Sequence, residues 1–144
     1  MNTHAHAEAY ARFFESLTPE TSREAYEAVF EPDVCFADPF HRFKGIDALR
    51  TLFDGMFAAV EAPAFVVDEI VCSNGVAYLR WEFSYRPSFG RERRHFEGVS
   101  RVQFTASGRV SSHIDYWDAA RNVYEHLPLV GKVVAFLRAR IASS

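Results

Sequence analysis

The 144-residue chain is short of the features that build crosslinked, metal-bound or membrane-spanning proteins. It has two cysteines, Cys35 and Cys72, with no C-x-x-C spacing, and their apolar neighbours read as free core thiols. No stretch approaches eighteen uninterrupted apolar residues, so no transmembrane helix is expected. Met1 to Ser16 lacks a basic start followed by an apolar run, so no secretory signal is expected and a cytoplasmic location is. Basic residues are not in surplus: sixteen Lys and Arg stand against nineteen Asp and Glu, a formal net charge of -3. A general nucleic-acid binder needs a basic face to displace counterions, so neither a nucleic-acid nor a membrane partner is expected. Low net charge with 49% hydrophobic residues excludes a disordered tail.

Chemical signatures are equally sparse. There is no G-x-S-x-G, H-E-x-x-H or dinucleotide fingerprint, and Thr105 to Arg109 is too short for a phosphate loop. His4 and His6 sit near a terminus without metal-ligand spacing. No cofactor and no metal is expected, so any catalysis runs on side chains alone. Repeats, low-complexity tracts and Pro/Gly/Ser-rich linkers are missing, which predicts one domain over 1–144. What the chain has in abundance is phenylalanine: fourteen, beside six tyrosines and two tryptophans. That exceeds the ordinary need of a small core and points to an apolar pocket or a subunit interface.

The first third reads as helix. Tyr10, Phe13, Phe14 and Leu17 recur at helical spacing, and Thr18-Pro19 stops the run. Thr21 and Glu24 form a capping-box pattern before a second helix through Val29 and Phe30, ended by Pro32. The apolar run Val34 to Ala37 then reads as a short strand entering a loop at Asp38-Pro39. After Gly45 comes the strongest helical stripe, Ile46, Leu49, Leu52, Phe53, Met56, Phe57 and Val60, ending before Pro63. Four strands follow: Phe65 to Cys72, Val76 to Tyr85, Arg93 to Thr105 and Val110 to Trp117. Asn74-Gly75 is a hairpin signal, and Pro87 to Gly90 and Ser107-Gly108 mark the other turns. Ala119 to His126 and a segment through Val133, Phe136, Leu137 and Ile141 return to helix. Helices segregated from a meandering antiparallel sheet make the fold class α+β.

Alternation sorts each strand into two faces. Tyr78, Arg80, Glu82 and Ser84 share one face of the second long strand, with Leu79, Trp81, Phe83 and Tyr85 on the other. His113, Asp115 and Trp117 share a face of the last strand, and Phe96, Gly98, Ser100, Val102 and Phe104 one of the strand before it. If the polar faces coincide, Arg80, Glu82, His113 and Asp115 converge, with Asp38 at the mouth of the first strand. The same alternation equally allows Trp81 and Phe83 against the helices, with Arg80 and Glu82 in water as an ion pair. Asp38 before Pro39 also suits a turn, and His113 a buried, satisfied histidine. The Arg91–His95 run suits a solvated hairpin end.

Two segments carry a family resemblance. Cys35-Phe36-Ala37-Asp38-Pro39 through Lys44-Gly45-Ile46-Asp47-Ala48-Leu49, and Gly108-Arg109-Val110 through His113-Ile114-Asp115-Tyr116-Trp117-Asp118, resemble the nuclear transport factor 2-like superfamily. The likeness is to its SnoaL-like polyketide cyclase and ketosteroid isomerase branch. It implies a curved sheet wrapped on three N-terminal helices, with a C-terminal helix, as a cone around a deep apolar pocket. It also implies a homodimer through the outer sheet face, and it would turn Arg80, Glu82, His113 and Asp115 into the cone.

The resemblance transfers unevenly. Asp38 matches the steroid isomerases' proton-moving aspartate, but their oxyanion-holding tyrosine and aspartate fall on Phe13 and Ser100. Arg80, Glu82 and Asp115 are similar to the ionic set of limonene epoxide hydrolase, whose water-holding residues fall near Phe36 and Asp38. Asp115 matches the acid/base aspartate of the polyketide cyclases, with His113 the nearest partner. The resulting expectation is a cofactor-independent isomerase, cyclase or hydrolase acting by general acid/base chemistry on a small apolar molecule. Asp115, Asp38, Arg80, Glu82 and His113 would be catalytic, and Phe13, Phe36, Phe53, Trp117 and Ser100 would contact substrate. The alternative is a non-catalytic small-molecule binding or accessory domain. Of the remaining phenylalanines, Phe14, Phe30, Phe57 and Phe136 suit helix–sheet packing, and Phe83 an outer, dimeric face.

Overall fold

A computed structural model describes residues 2–87 and 92–144. The expected turn at Ser88 to Gly90, and Arg91 of the basic run, lie outside the described residues. Helix α1 (Thr3–Glu15) is capped by the Asn2 side chain, which accepts from the Ala5 N–H at 3.1 Å. Helix α2 (Arg23–Val29) is capped by Ser22, one residue after the expected Thr21, whose hydroxyl instead accepts from the Thr18 N–H. The chain turns directly into β1 (Phe30–Ala37), so Pro32 lies within that strand rather than just beyond the helix. A short β2 (Arg42–Lys44) folds back on β1 and leads into α3 (Ile46–Ala59). Strands β3 (Val60–Ser73), β4 (Val76–Pro87), β5 (Arg94–Phe104) and β6 (Val110–Trp117) form the expected meander. The Asn74-Gly75 turn carries positive φ at both residues, as a two-residue hairpin requires. Beyond β6 the expected helix to His126 is split into α4 (Ala119–Asn122) and a 3-10 turn (Tyr124–His126), before α5 (Val130–Ala142).

The six strands form one curved, unclosed sheet in the order β2-β1-β6-β5-β4-β3. Every pair is antiparallel except β1 with β6. Register breaks between Glu61 and Ala64 and between Val67 and Glu69 add bends to β3, the long edge strand. The core lies where α1, α2 and α3 meet the inner face of the sheet. Phe30, Val34, Leu49, Val102 and Val110 are fully enclosed there. Burying each such side chain contributes about 1.5–3 kcal/mol.

The inner face of β4 is Ala77, Leu79, Trp81 and Phe83, all buried. Phe83, expected on the outer face, stacks on Phe65 inside the sheet at 4.6 Å. Phe136, expected against the sheet, is 64% exposed. Neither cysteine is a core thiol: Cys35 is exposed on β1 and Cys72 is half-buried, and both are free. Among the described residues no helix is long and apolar enough to cross a membrane.

Candidate active site

Cross-strand register builds the site. Leu79 on β4 pairs with Ser100 on β5, which pairs with Asp115 on β6, so the three form one row on the inner face. The next row runs Trp81, Gly98, Trp117. A Cβ on Gly98 would fall 2.4 Å from the Trp81 ring, so the absence of a side chain there lets the indole lie across β5. Its Nε1–H then donates to Ser100 Oγ at 2.8 Å. From the helical side Tyr10 and Phe14, one turn apart on α1, and Phe53 on α3 complete the wall, with Phe65 and Val67 of β3 opposite. The cavity they line is about 30 Å³, room for a water or two.

A single hydrogen-bond chain crosses this pocket. Trp81 is donor-only, so Ser100 accepts from it and donates onward to Asp115 Oδ1 at 2.5 Å. His113 Nε2 donates to the same oxygen, also at 2.5 Å. That leaves His113 Nδ1 to accept from the Tyr10 hydroxyl at 2.8 Å. Burial, and then the negative charge of Asp115, hold the Tyr10 phenol well above its ordinary pKa of 10, so it stays protonated as the donor. His113 is 4% exposed and clasped between aromatic rings, with Phe36 stacked at 5.1 Å and Phe14 at 5.3 Å. No buried side-chain nitrogen or oxygen among the described residues lacks a partner. Asp115 Oδ1 takes both bonds, and Oδ2 has no partner among the described residues. Its side chain is 19% exposed and lines the pocket, and Oδ2 is the oxygen left unbonded. A carboxylate with one oxygen anchored and the other free is placed to take a proton from a bound molecule and return it. No group of three or more His, Cys, Asp or Glu suited to a metal ion occurs among the described residues.

Of the residues singled out from sequence, Asp115, His113, Ser100 and Phe53 meet here. Phe36 stands behind His113 as its stacking support. Trp117 packs on Phe96 at 4.7 Å and Phe40 at 5.4 Å, outside the cavity wall. Arg80 and Glu82 do not join the site. With Leu79 and Trp81 inward, alternation sends their side chains to the opposite face, where Arg80 bridges Asp68 and Glu97. Asp38 is a turn residue: its carboxylate accepts from the Phe40 and His41 N–H groups at 2.8 and 2.7 Å and pairs with the His41 ring at 3.0 Å. Phe13 points away from the pocket to pack on Tyr26 and Phe30. One step along a helix rotates a side chain by about 100°, so Phe14 takes the pocket-facing place assigned to Phe13. The sequence reading missed Tyr10, Trp81 and Phe65. Tyr10 and Phe14 carried the i,i+4 signal, but nothing local ties a residue on α1 to a histidine 103 positions away.

The SnoaL-like domain family matches residues 4–113. The chain belongs to the SnoaL-like domain family. This SnoaL-like chain resembles three solved structures with a TM-score between 0.67 and 0.69. One is a Catenulispora acidiphila protein with a ketosteroid isomerase-like fold, in complex with trimethylamine. It is 11% identical, over 82% of this chain and 88% of that one, with a TM-score of 0.69. Another is a candidate SnoaL-like polyketide cyclase from Jannaschia sp. CCS1, 12% identical over 82% and 88%, also at 0.69. The third is AclR of Streptomyces galilaeus, a candidate hydroxylase, 17% identical over 98% and 92%, at 0.67. At these identities the likeness establishes the fold, the NTF2-like α+β architecture. No functionally curated protein matches the sequence.

Proposed function

We propose that this SnoaL-like protein is a cofactor-independent enzyme of isomerase, cyclase or hydrolase type that moves a proton on a small, largely apolar molecule. The observation that carries the reading is Asp115: a carboxylate in an aromatic-walled pocket, with Oδ1 held by His113 and Ser100 and Oδ2 unbonded. Asp115 is the general base and acid. His113 and Ser100 position it, Tyr10 fixes the His113 ring, and Trp81 fixes the Ser100 hydroxyl. Phe14, Phe53 and Phe65 contact the apolar body of the substrate. A base so placed contributes typically about 10²–10⁴-fold to rate. The cavity of about 30 Å³ admits little beyond a reacting group, so a larger substrate must part the aromatic rim. A homodimer through the outer sheet face belongs to the same reading, supported by Val66, Val71 and Tyr116, each more than half exposed there.

The test is a screen of ester, epoxide and β,γ-unsaturated ketone substrates with the parent and with Asp115→Asn. Turnover that falls at least a hundredfold in the variant is expected, and turnover that is absent or equal in both sinks the mechanism. A second reading, a non-catalytic binding domain, draws on the fact that every fully buried polar side-chain atom among the described residues already has a partner. A compound that raises the melting temperature of parent and Asp115→Asn equally, without turnover, would favour it.

A further inference from the structure

The C-terminal helix keeps its most apolar face off the protein. Helix α5 is seated through Gly131, the one buried residue of the helix, whose N–H donates to the Leu127 carbonyl at 2.8 Å. A Cβ on Gly131 would fall 2.3 Å from the Glu125 carbonyl oxygen, so the helix lies as close to the 3-10 turn as backbone permits. Arg138, two turns along the same side, clamps the Glu125 carboxylate at 2.8 and 3.1 Å. These contacts set the rotation of α5. They turn Val130, Val133, Phe136, Leu137 and Ile141 outward, beside Leu129, which is 80% exposed. All six are more than half exposed, and a cluster of large apolar side chains left in water marks an interaction surface.

Charge decides between occupants. From Leu127 to Ser144 there are three basic residues, Lys132, Arg138 and Arg140, and no acidic one. A segment of +3 thus hangs on a remainder of -6. Arg138 is spent on Glu125, while Lys132 and Arg140 have no ion-pair partner among the described residues. Self-pairing of this face about a two-fold axis would bring these cations towards their own copies. An anionic bilayer surface meets both demands, taking the apolar arc into the acyl boundary and the cations at the headgroups. We propose that α5 is an amphipathic anchor that lays this protein on anionic lipid surfaces. The expectation of no membrane partner rested on the charge of the whole chain, to which this +3 segment is a local exception; the absence of a spanning run does not bear on a helix that lies in the interface. The proposal is independent of the pocket chemistry, and α5 lies outside the family-matched residues 4–113.

The experiment is vesicle flotation of the full chain with phosphatidylcholine alone and with added phosphatidylserine. The parent is expected to float with the anionic vesicles and to be released by salt. Phe136→Asp, on an exposed side chain that leaves the fold intact by circular dichroism, is expected to lose at least nine-tenths of that binding. Lys132→Gln and Arg140→Gln should each weaken it roughly fivefold. Failure of the parent to float with either vesicle overturns the proposal, as does binding that Phe136→Asp leaves unchanged. Concentration-dependent self-association abolished by Phe136→Asp, without flotation, overturns it in favour of a second copy.

Discussion

Tyr10→Phe tests the hydrogen-bond chain at its most enclosed link. The substitution keeps the ring, with its edge contacts to Phe14 at 4.9 Å and Phe30 at 5.7 Å, and deletes one hydroxyl. His113 Nδ1, on a side chain 4% exposed, loses its donor. Leaving a buried acceptor unsatisfied costs about 1–3 kcal/mol. For a chain of this length each kcal/mol is worth roughly 2–4 °C in melting temperature, so the expected drop is about 2–12 °C. The neighbouring cavity of about 30 Å³ can take a replacement water, which sets the result toward the lower end. Calorimetry measures the drop, and a second background isolates its cause. In His113→Leu the acceptor is gone, so adding Tyr10→Phe should cost at least about 1 kcal/mol less than it does in the parent. Equal losses in both backgrounds would show that the hydroxyl acts by packing alone. A variant as stable as the parent would refute the assigned chain.

Three further outcomes follow from the same geometry. Gly98→Ala drives a methyl into the Trp81 ring and should cost about 1–3 kcal/mol by overpacking; an unchanged melting temperature with unaltered tryptophan fluorescence would contradict the packing described. Both buried phenols bind their protons more tightly in the folded state, Tyr10 well above 10 and Tyr26, through burial and then the Asp54 charge, at about 12. The unfolded chain therefore releases these protons first, so stability is intact below about pH 10 and falls as pH rises from there towards the folded values; denaturant titrations should show a shallower alkaline fall in Tyr26→Phe. Arg80→Gln removes two exposed outer-face ion pairs, to Asp68 and Glu97, so its effect on stability should be small and shrink with salt, leaving any Asp115-dependent turnover unchanged.

The element order was legible because its signals are local. Helical periodicity marked α1 and α3, Asn74-Gly75 marked the β3–β4 turn, and alternation sorted β4, β5 and β6 into two faces. The misreadings share one origin, the question of which face is inside. Two clean faces on β4 left Arg80/Glu82 and Leu79/Trp81/Phe83 as rival inner sets, and the family resemblance favoured the charged one. Helix α1 raised the same problem between Phe13 and Phe14. For α5, amphipathicity was legible but its partner was not, because the seat depends on Gly131 meeting the Glu125 carbonyl.

By itself, the sequence determined the α+β class, the order of the elements apart from the short β2, and the side-chain partition of β4, β5 and β6. These follow from backbone sterics and the 2.0 and 3.6 residue periods, which act over a few residues. Only the tertiary structure decided that Asp115 meets His113, Ser100 and, through His113, Tyr10, and that Arg80 does not. That decision lies in the pairing of Leu79 with Ser100 and of Ser100 with Asp115, and in the rotation of α1 above them. A one-residue slip in either pairing would exchange every inner and outer side chain of a strand. Such register is selected by burying Leu79, Trp81 and Phe83 together against the helices, a free energy that exists only once the whole sheet has formed.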